Sequence, residues 1–404
     1  MPSHGIFVET RLRQLLRTGQ VDARVVAPVP WFPAKHPMFK RYARQARVPR
    51  HEVLHGIEVS HPRYVVVPKI GMSVAPFTLA LAAIPEIERL RRSGYEFDAI
   101  DAHYYYPDGV AATIVARHFR KPLVITARGS DLNLISNYRI PRRLMLWAGR
   151  QAGYSVAVSR ALQEKLVTLG VERERVVALR NGVDLDFFTP VDRRAARRLL
   201  GLQDVQTFAS VGHLVELKGH DLAIRALAHG FPDAHLLIVG DGEVRQPLEA
   251  LARSLGVHER VSFVGAVTQE RLRYYFSAAD ALILASSREG WPNVLLESMA
   301  CGTPVVATRV GGVPEIVTAP EAGVLVNRSP ADIAEGLTTL LSAYPSREAT
   351  RAHAERFSWE DTTRGQLRIF ESLAKDGSIE TRISSALVQD GQNARARQQL
   401  AKHD

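Results

Sequence analysis

Between Ser286 and Gly302 the chain reads SSREGWPNVLLESMACG. An apolar run, Ala281 to Ala285, precedes this stretch and has the length and composition of a buried strand. A second apolar run, Val294 to Cys301, follows as a helix, with Pro292 and Asn293 where a helix N-terminus favours them. Glu289 falls in the turn, and Glu297 stands eight positions later, about one turn into the helix. Free amides and the positive dipole end at a helix start attract phosphate. Carboxylates accept hydrogen bonds from sugar hydroxyls. The turn therefore suits a sugar attached to a phosphate, although charged residues flank many turns of this kind and the neighbouring segments must carry the argument further.

Working outward, strand and helix patterns alternate on both sides. Downstream of Pro190 the expected strands are Thr207–Leu214, His235–Gly240, Val261–Gly265, Ala281–Ala285, Pro304–Thr308 and Val324–Val326. The helices expected among them include Asp221–Ala228, Val244–Leu255, Gln269–Ala278, Val294–Cys301 and Ala331–Ser342, the last announced by Ser329 and Pro330. Upstream, expected strands at Val21–Val29, Tyr64–Pro68, Phe97–Tyr104, Leu123–Ala127, Ser155–Val158 and Val176–Leu179 alternate with helices at Phe77–Ser93, Asp108–Phe119, Pro141–Gln151 and Arg160–Leu169. The turn-rich segment Asn181–Pro190, NGVDLDFFTP, separates the two series. This pattern predicts two doubly wound α/β domains, each a parallel sheet with helices on both faces. The expected boundaries are 1–186, 187–355, a helix at 356–374 and a polar tail at 375–404 with no sustained apolar face. The start is unusual. A basic amphipathic helix, Glu9–Thr18, comes before any strand, so the first strand of the first domain is expected to be missing, through truncation.

The 404 residues, 46% hydrophobic and 23% charged, are those of a soluble globular protein of about two domains. No apolar run approaches the roughly 18 residues needed to cross a bilayer, and no signal core opens the chain. Cys301 is the single cysteine, which excludes internal disulfides and fits a reducing cytoplasm. The net charge of +10 is uneven. Arg24, Lys35, Lys40, Arg41, Arg44, Arg47 and Arg50 lie in an acid-free stretch with Trp31, Phe32, Phe39 and Tyr42 interleaved. From Arg128 to Gln163 the only acid is Asp131, among Arg139, Arg142, Arg143, Arg150 and Arg160. Such stretches suit an anionic membrane surface or an anionic acceptor, against the plainer reading of a solvated basic face. No nucleic-acid-binding module is present, so nucleic acid is not an expected partner.

The combination of segments resembles the family-4, or group 1, retaining glycosyltransferases from about Pro2 to Ala374, in family order. The segments that carry it are SRALQEKLVTLGVERERVVALRNGVD from Ser159, SVGHLVELKGHD from Ser210, and the E-x7-E pair Glu289 and Glu297. The resemblance implies a GT-B architecture, with two Rossmann-like domains facing across a cleft. It implies a nucleoside diphosphate sugar as donor, no metal and no other cofactor. In that family Glu289 would contact the donor sugar and Glu297 the ribose. Gly290, Trp291, Asn293 and Val294 would lie along the phosphate or sugar. Gly240 and Gly242, in the G-x-G turn, and Gly265 would line the nucleotide. Lys218 would support charge on the leaving diphosphate, together with His213, which stands where the family has an arginine. A histidine carries charge only when protonated, so a phosphate contact through it is expected to weaken as pH rises. On the acceptor side the resemblance points to Arg128, in place of the family's usual histidine, and to Asp131. His103 is the remaining histidine at a strand end, read as a hydrogen-bonded structural residue. Asp184 and Asp186 form a D-x-D, but no further ligand accompanies them.

The function expected is sugar transfer to a glycan or lipid-linked acceptor in cell-surface polysaccharide or glycolipid synthesis, in the cytoplasm or at the inner face of the membrane. Two alternatives remain: a non-catalytic protein that binds sugar nucleotides or membranes, and a sugar-nucleotide epimerase. Turnover that requires an acceptor marks a transferase, turnover without one an epimerase, and binding without turnover the first alternative.

Overall fold

In the computed structural model, residues 6–31, 45–66 and 71–375 are described. Residues 376–404 of the tail expected at 375–404, and most of the aromatic-basic stretch, 32–44, lie outside them.

The second domain is a six-stranded parallel sheet. Its strands are β10 (Thr207–Val211), β11 (His235–Val239), β12 (Val261–Gly265), β13 (Ala281–Leu284), β14 (Val305–Thr308) and β15 (Gly323–Val326), in the order β12-β11-β10-β13-β14-β15. These strands are short continuous runs of Val, Ile, Leu and Ala because helices cover both faces, and their central members are almost wholly buried. The sheet order reverses beside β10, between β11 and β13, and the loops after these three strands converge there. Ligands of open α/β sheets bind at such a reversal. Ser329 caps helix Pro330–Ser342 by accepting a hydrogen bond from the Asp332 amide at 3.0 Å.

The first domain carries a four-stranded parallel sheet of β6 (Ile100–His103), β7 (Leu123–Ala127), β8 (Tyr154–Ala157) and β9 (Val176–Ala178) in sequence order. The strand expected at Val21–Val29 is instead two short ones, β1 (Val25–Val26) and β2 (Val29–Pro30). β1 pairs with β4 (Ile57–Ser60), and β2 with β5 (Arg63–Tyr64). Pro28 and Pro62 separate the two pairings, each lacking the N–H that would continue a ladder. β4 also forms an antiparallel hairpin with β3 (His51–Leu54), which the sequence reading missed within the basic segment. Among the described residues no strand precedes helix Ile6–Arg17, and both β1 and β6 are edge strands, so the first sheet is divided.

The crossover at Asn181–Phe188 runs against the return of the chain at Phe357–Trp359. The Val183 amide donates to the Phe357 carbonyl at 2.9 Å. Helix Trp359–Lys375 then packs on the first domain, where Ile369 and Leu373 join Val124, Tyr154, Val156 and Leu179 in one apolar cluster. Gln366 on this helix is fully buried, accepting from Arg11 Nε at 2.6 Å and donating to Asp101 Oδ2 at 2.7 Å. This helix is thereby wired to β6 and to the first helix.

Candidate active site

The cleft between the domains is a cavity of about 250 Å³ whose lining includes Tyr104, Arg128, Gly129, Asn133, Arg288, Glu289 and Gly290. Glu289 lies in the turn after β13 because the strand ends at Leu284 and helix Asn293–Ala300 begins only after Pro292. Its Oε1 sits 2.7 Å from Lys218 Nζ and accepts from Ser286 Oγ at 2.7 Å. Lys218 comes from the loop after β10, and the Ser287 amide donates to the Leu217 carbonyl at 2.8 Å, locking the two loops side by side. A cation and a carboxylate from segments 71 positions apart thus meet at the tips of adjacent strands.

Glu297 is on the helix, 7% exposed, and its carboxyl accepts no hydrogen bond among the described residues. Burial pushes its carboxyl up to about 7. Asn293 is buried and accepts from Asn181 Nδ2 at 3.3 Å, and Val294 follows it in the first turn. Trp291 lines the cavity, yet its indole N–H donates to the Asn181 carbonyl at 3.0 Å and its ring packs on Arg180 and Phe357. The indole fastens the second domain to the crossover.

Gly240 and Gly242 also have a structural reason. A Cβ on Gly240 would stand 1.9 Å from the Gly212 carbonyl oxygen, and one on Gly242 would stand 2.2 Å from that of Leu214. The glycines let the loop after β11 press against the loop after β10. Gly265 accepts at 2.9 Å from the Gly240 amide, joining a third loop to them. His213, carried between Gly212 and Leu214, is exposed.

The first domain meets this site through Arg128 and Gly129. A Cβ on Gly290 would lie 2.2 Å from the Arg128 carbonyl oxygen, so only glycine permits this approach of the two domains. Asn133 Nδ2 reaches the Glu289 carbonyl at 3.5 Å, and Lys165 Nζ donates to Asn133 Oδ1 at 3.0 Å. Glu315 of the second domain accepts from the Ala161 amide at 3.0 Å, at the N-terminus of helix Arg160–Leu169, and pairs with Arg180 at 2.9 Å.

Asp131 does not face the cleft as an acceptor-binding carboxylate. It is fully buried and accepts from the backbone amides of Tyr105 (2.7 Å), Gly129 (2.8 Å) and Leu132 (3.0 Å). It holds the Arg128–Gly129 turn in shape. Arg128 Nη2 donates to His103 Nδ1 at 3.0 Å, and His103 Nε2 is 3.6 Å from Asp101 Oδ2. Burial, then the charges of Arg128 and Arg11, holds His103 well below the usual imidazole range, so it is neutral and acts as a prop for the guanidinium. Arg128 Nε and Nη1 and both Nη atoms of Arg11 are buried without partners among the described residues. Burial pushes Asp101 up to about 6 against their attraction. Two guanidinium groups therefore share one carboxylate beside the cleft.

Sequence reasoning missed Ser286, Asn133, Lys165 and Arg11. Ser286 was inside the quoted stretch, but the other three carry no local signal. The D-x-D is a turn device, with Asp184 Oδ1 accepting from the Phe187 amide at 3.0 Å.

Comparison with known proteins supplies the family. Residues 192–357 match the family described as Glycosyl transferases group 1, and residues 42–187 match Glycosyltransferase Family 4. A D-inositol 3-phosphate glycosyltransferase of Acidothermus cellulolyticus is 33% identical over 87% of this chain and 84% of its own. The chain belongs to the group 1 glycosyltransferases. A second relative of that name, from Mycolicibacterium smegmatis, is 32% identical over 73% of this chain and 71% of its own. Among solved structures, the sucrose-phosphate synthase of Thermosynechococcus elongatus superposes with a TM-score of 0.73 at 21% identity, over 90% of this chain and 92% of its own. Anabaena HepE, solved with UDP, gives 0.67 at 23% identity, over 79% and 87%. The fold of this glycosyltransferase is accordingly GT-B, two Rossmann-like domains, as expected from the alternation of its strands and helices.

Proposed function

We propose that this glycosyltransferase moves a sugar, with retention, from a nucleoside diphosphate sugar to an acceptor that carries an anionic group. The Lys218–Glu289 pair at the strand tips, opposite Arg128, is the observation that carries the reading. In the reaction the bond from the sugar C1 to the diphosphate oxygen breaks. A bond from C1 to the acceptor hydroxyl oxygen forms on the same face, and the hydroxyl proton passes to a diphosphate oxygen. Lys218 supports the negative charge gathering on the leaving diphosphate, assisted by His213 when protonated. Glu289 accepts hydrogen bonds from the sugar hydroxyls, and Glu297 from the ribose. Gly290 and Val294 contribute backbone to the sugar-phosphate, and no metal takes part.

The acceptor reading rests on the unpartnered N–H groups of Arg128 and on the excess of guanidinium over carboxylate around it. Two buried cations that share one counter-charge are costly, and an acidic group on the acceptor lowers that cost. The relatives named for D-inositol 3-phosphate are consistent with a phosphorylated acceptor. A Bacillus subtilis relative, 29% identical over 83% of this chain and 85% of its own and assigned provisionally to teichuronic acid biosynthesis, is consistent with a glycan acceptor. HepE, solved with UDP-glucose, supports a nucleotide-sugar donor.

The test pairs a panel of nucleotide sugars with phosphorylated and unphosphorylated polyol acceptors, reading nucleotide release and the product anomer by proton NMR. Acceptor-dependent turnover with the donor's anomeric configuration kept supports the proposal. Nucleotide release that no acceptor accelerates, or an inverted product, contradicts it.

A further inference from the structure

The sequence contains two basic stretches mixed with aromatic residues, and the structure distinguishes them. Much of the first, 32–44, lies outside the described residues. The second folds into a continuous outward face on helix Arg139–Gln151 and the turn before it. Pro141, Met145, Ala148 and Gly149 bury one side of this helix. Arg139, Arg142, Arg143 and Arg150 are exposed on its other sides, and none makes an ion pair among the described residues. Neighbouring acids are already engaged. Asp131 is saturated by backbone amides, Glu164 pairs with Arg173 at 2.5 Å and Glu172 with Arg175 at 2.9 Å.

Two further features set this face apart from a solvated charge run. Leu134, Tyr138 and Ile140 are 41%, 49% and 55% exposed at the start of the helix, beside the arginines. Moreover, Arg139, Arg142 and Arg143 crowd the helix N-terminus, where no acid lies in the first turn and Tyr138 offers no side-chain cap. Cations there oppose the helix dipole, so helix stability does not account for them. An external layer of negative charge overlying apolar residues satisfies both features: the arginines find counter-charges, and the apolar side chains leave water.

We infer that this face docks on an anionic lipid leaflet. Its position gives the docking a use. Asn133, next to Leu134, lines the cleft and reaches the Glu289 carbonyl, so the docked face is continuous with the mouth of the site. An acceptor anchored in that leaflet would be presented to Arg128 without leaving the membrane. That use rests on the glycosyltransferase reading above, whereas the docking itself is measured without turnover.

The experiment is co-sedimentation of the full chain with vesicles of equal parts phosphatidylglycerol and phosphatidylcholine, against vesicles of phosphatidylcholine alone. Soluble-donor hydrolysis is followed in parallel to report on the reaction centre. Wild type is expected on the anionic vesicles only. The variant Arg139→Gln/Arg142→Gln/Arg143→Gln should bind on the order of 100-fold more weakly, since each cation at such a surface contributes about fivefold. Replacing the same residues with lysine should keep most of the binding, and Ile140→Ser should weaken it with the charge unchanged. All these residues are exposed, so folding is not at stake. Equal binding of wild type to both vesicles, or undiminished binding of the glutamine variant, overturns the inference. So does loss of binding only when Lys35, Lys40, Arg41 and Arg44 are replaced. Failure of donor hydrolysis with vesicle binding intact would count against the reaction and not against the docking face.

Discussion

Lys218 Nζ and Glu289 Oε1 stand 2.7 Å apart, and Ser286 donates to the same carboxylate oxygen. The residue assigned to the leaving diphosphate and the residue assigned to the sugar thus form one ion pair. Lys218→Ala should lower kcat/KM by about 100- to 1,000-fold, the range seen when a donor to developing charge is removed. Steady-state kinetics with the preferred donor checks this. A drop below tenfold would leave Lys218 without the role given to it.

Glu297 gives a stability signature. Its carboxyl is raised from 4.5 to about 7 by burial, so the folded chain holds that proton more tightly than the unfolded chain. The sign follows: stability attributable to Glu297 falls as pH rises from about 4.5 to about 7, and the loss is complete above the folded value. The slope is at most about 1.4 kcal/mol per pH unit. Melting curves of wild type and Glu297→Gln across this window should diverge, with the glutamine variant gaining relative stability at higher pH. Parallel curves would show that the carboxyl is not the cause.

Gly290 sets how closely the domains meet. Alanine there places a methyl group 2.2 Å from the Arg128 carbonyl oxygen, and backbone must move to relieve it. Gly290→Ala should therefore cost more than tenfold in kcat while leaving far-UV circular dichroism unchanged, because the clash lies between domains and not within a core. Wild-type kcat would show that this approach does not matter to turnover.

Asp131 is a structural residue. Asparagine can accept with only one oxygen where the carboxylate serves several backbone amides. Asp131→Asn should destabilise the chain by about 2 kcal/mol, as hydrogen bonds to a buried charge do. Urea unfolding measures it, and an unchanged midpoint would contradict the assignment.

For Arg128 the expected effect is on the acceptor. Arg128→Gln should raise the acceptor KM by more than it lowers kcat, and only for acceptors bearing an acidic group. Comparing a phosphorylated acceptor with its unphosphorylated counterpart isolates the effect.

The second domain was legible almost to the residue. Val261–Gly265 and Gln269–Ala278 appear at the positions expected, because buried parallel strands are continuous apolar runs and their helices start at clear signals. The first domain was less so. The hairpin His51–Ser60 is largely exposed on one strand and rich in charge, so no apolar run marked it. At the site, Glu289 and Lys218 could be singled out from their own segments, but their pairing could not be read from residues 71 positions apart. Asp131 was placed in the right loop with the wrong partners. Whether a polar group faces a ligand or a backbone amide depends on three-dimensional closure that no local pattern encodes.

The most direct measurement is nucleotide release from a panel of nucleoside diphosphate sugars, with wild type beside Glu289→Ala and Lys218→Ala. The account predicts release from one donor by wild type and its loss in both variants, with donor binding weakened but detectable. Release that persists in either variant at the wild-type rate would contradict the assignment of this pair as the reaction centre.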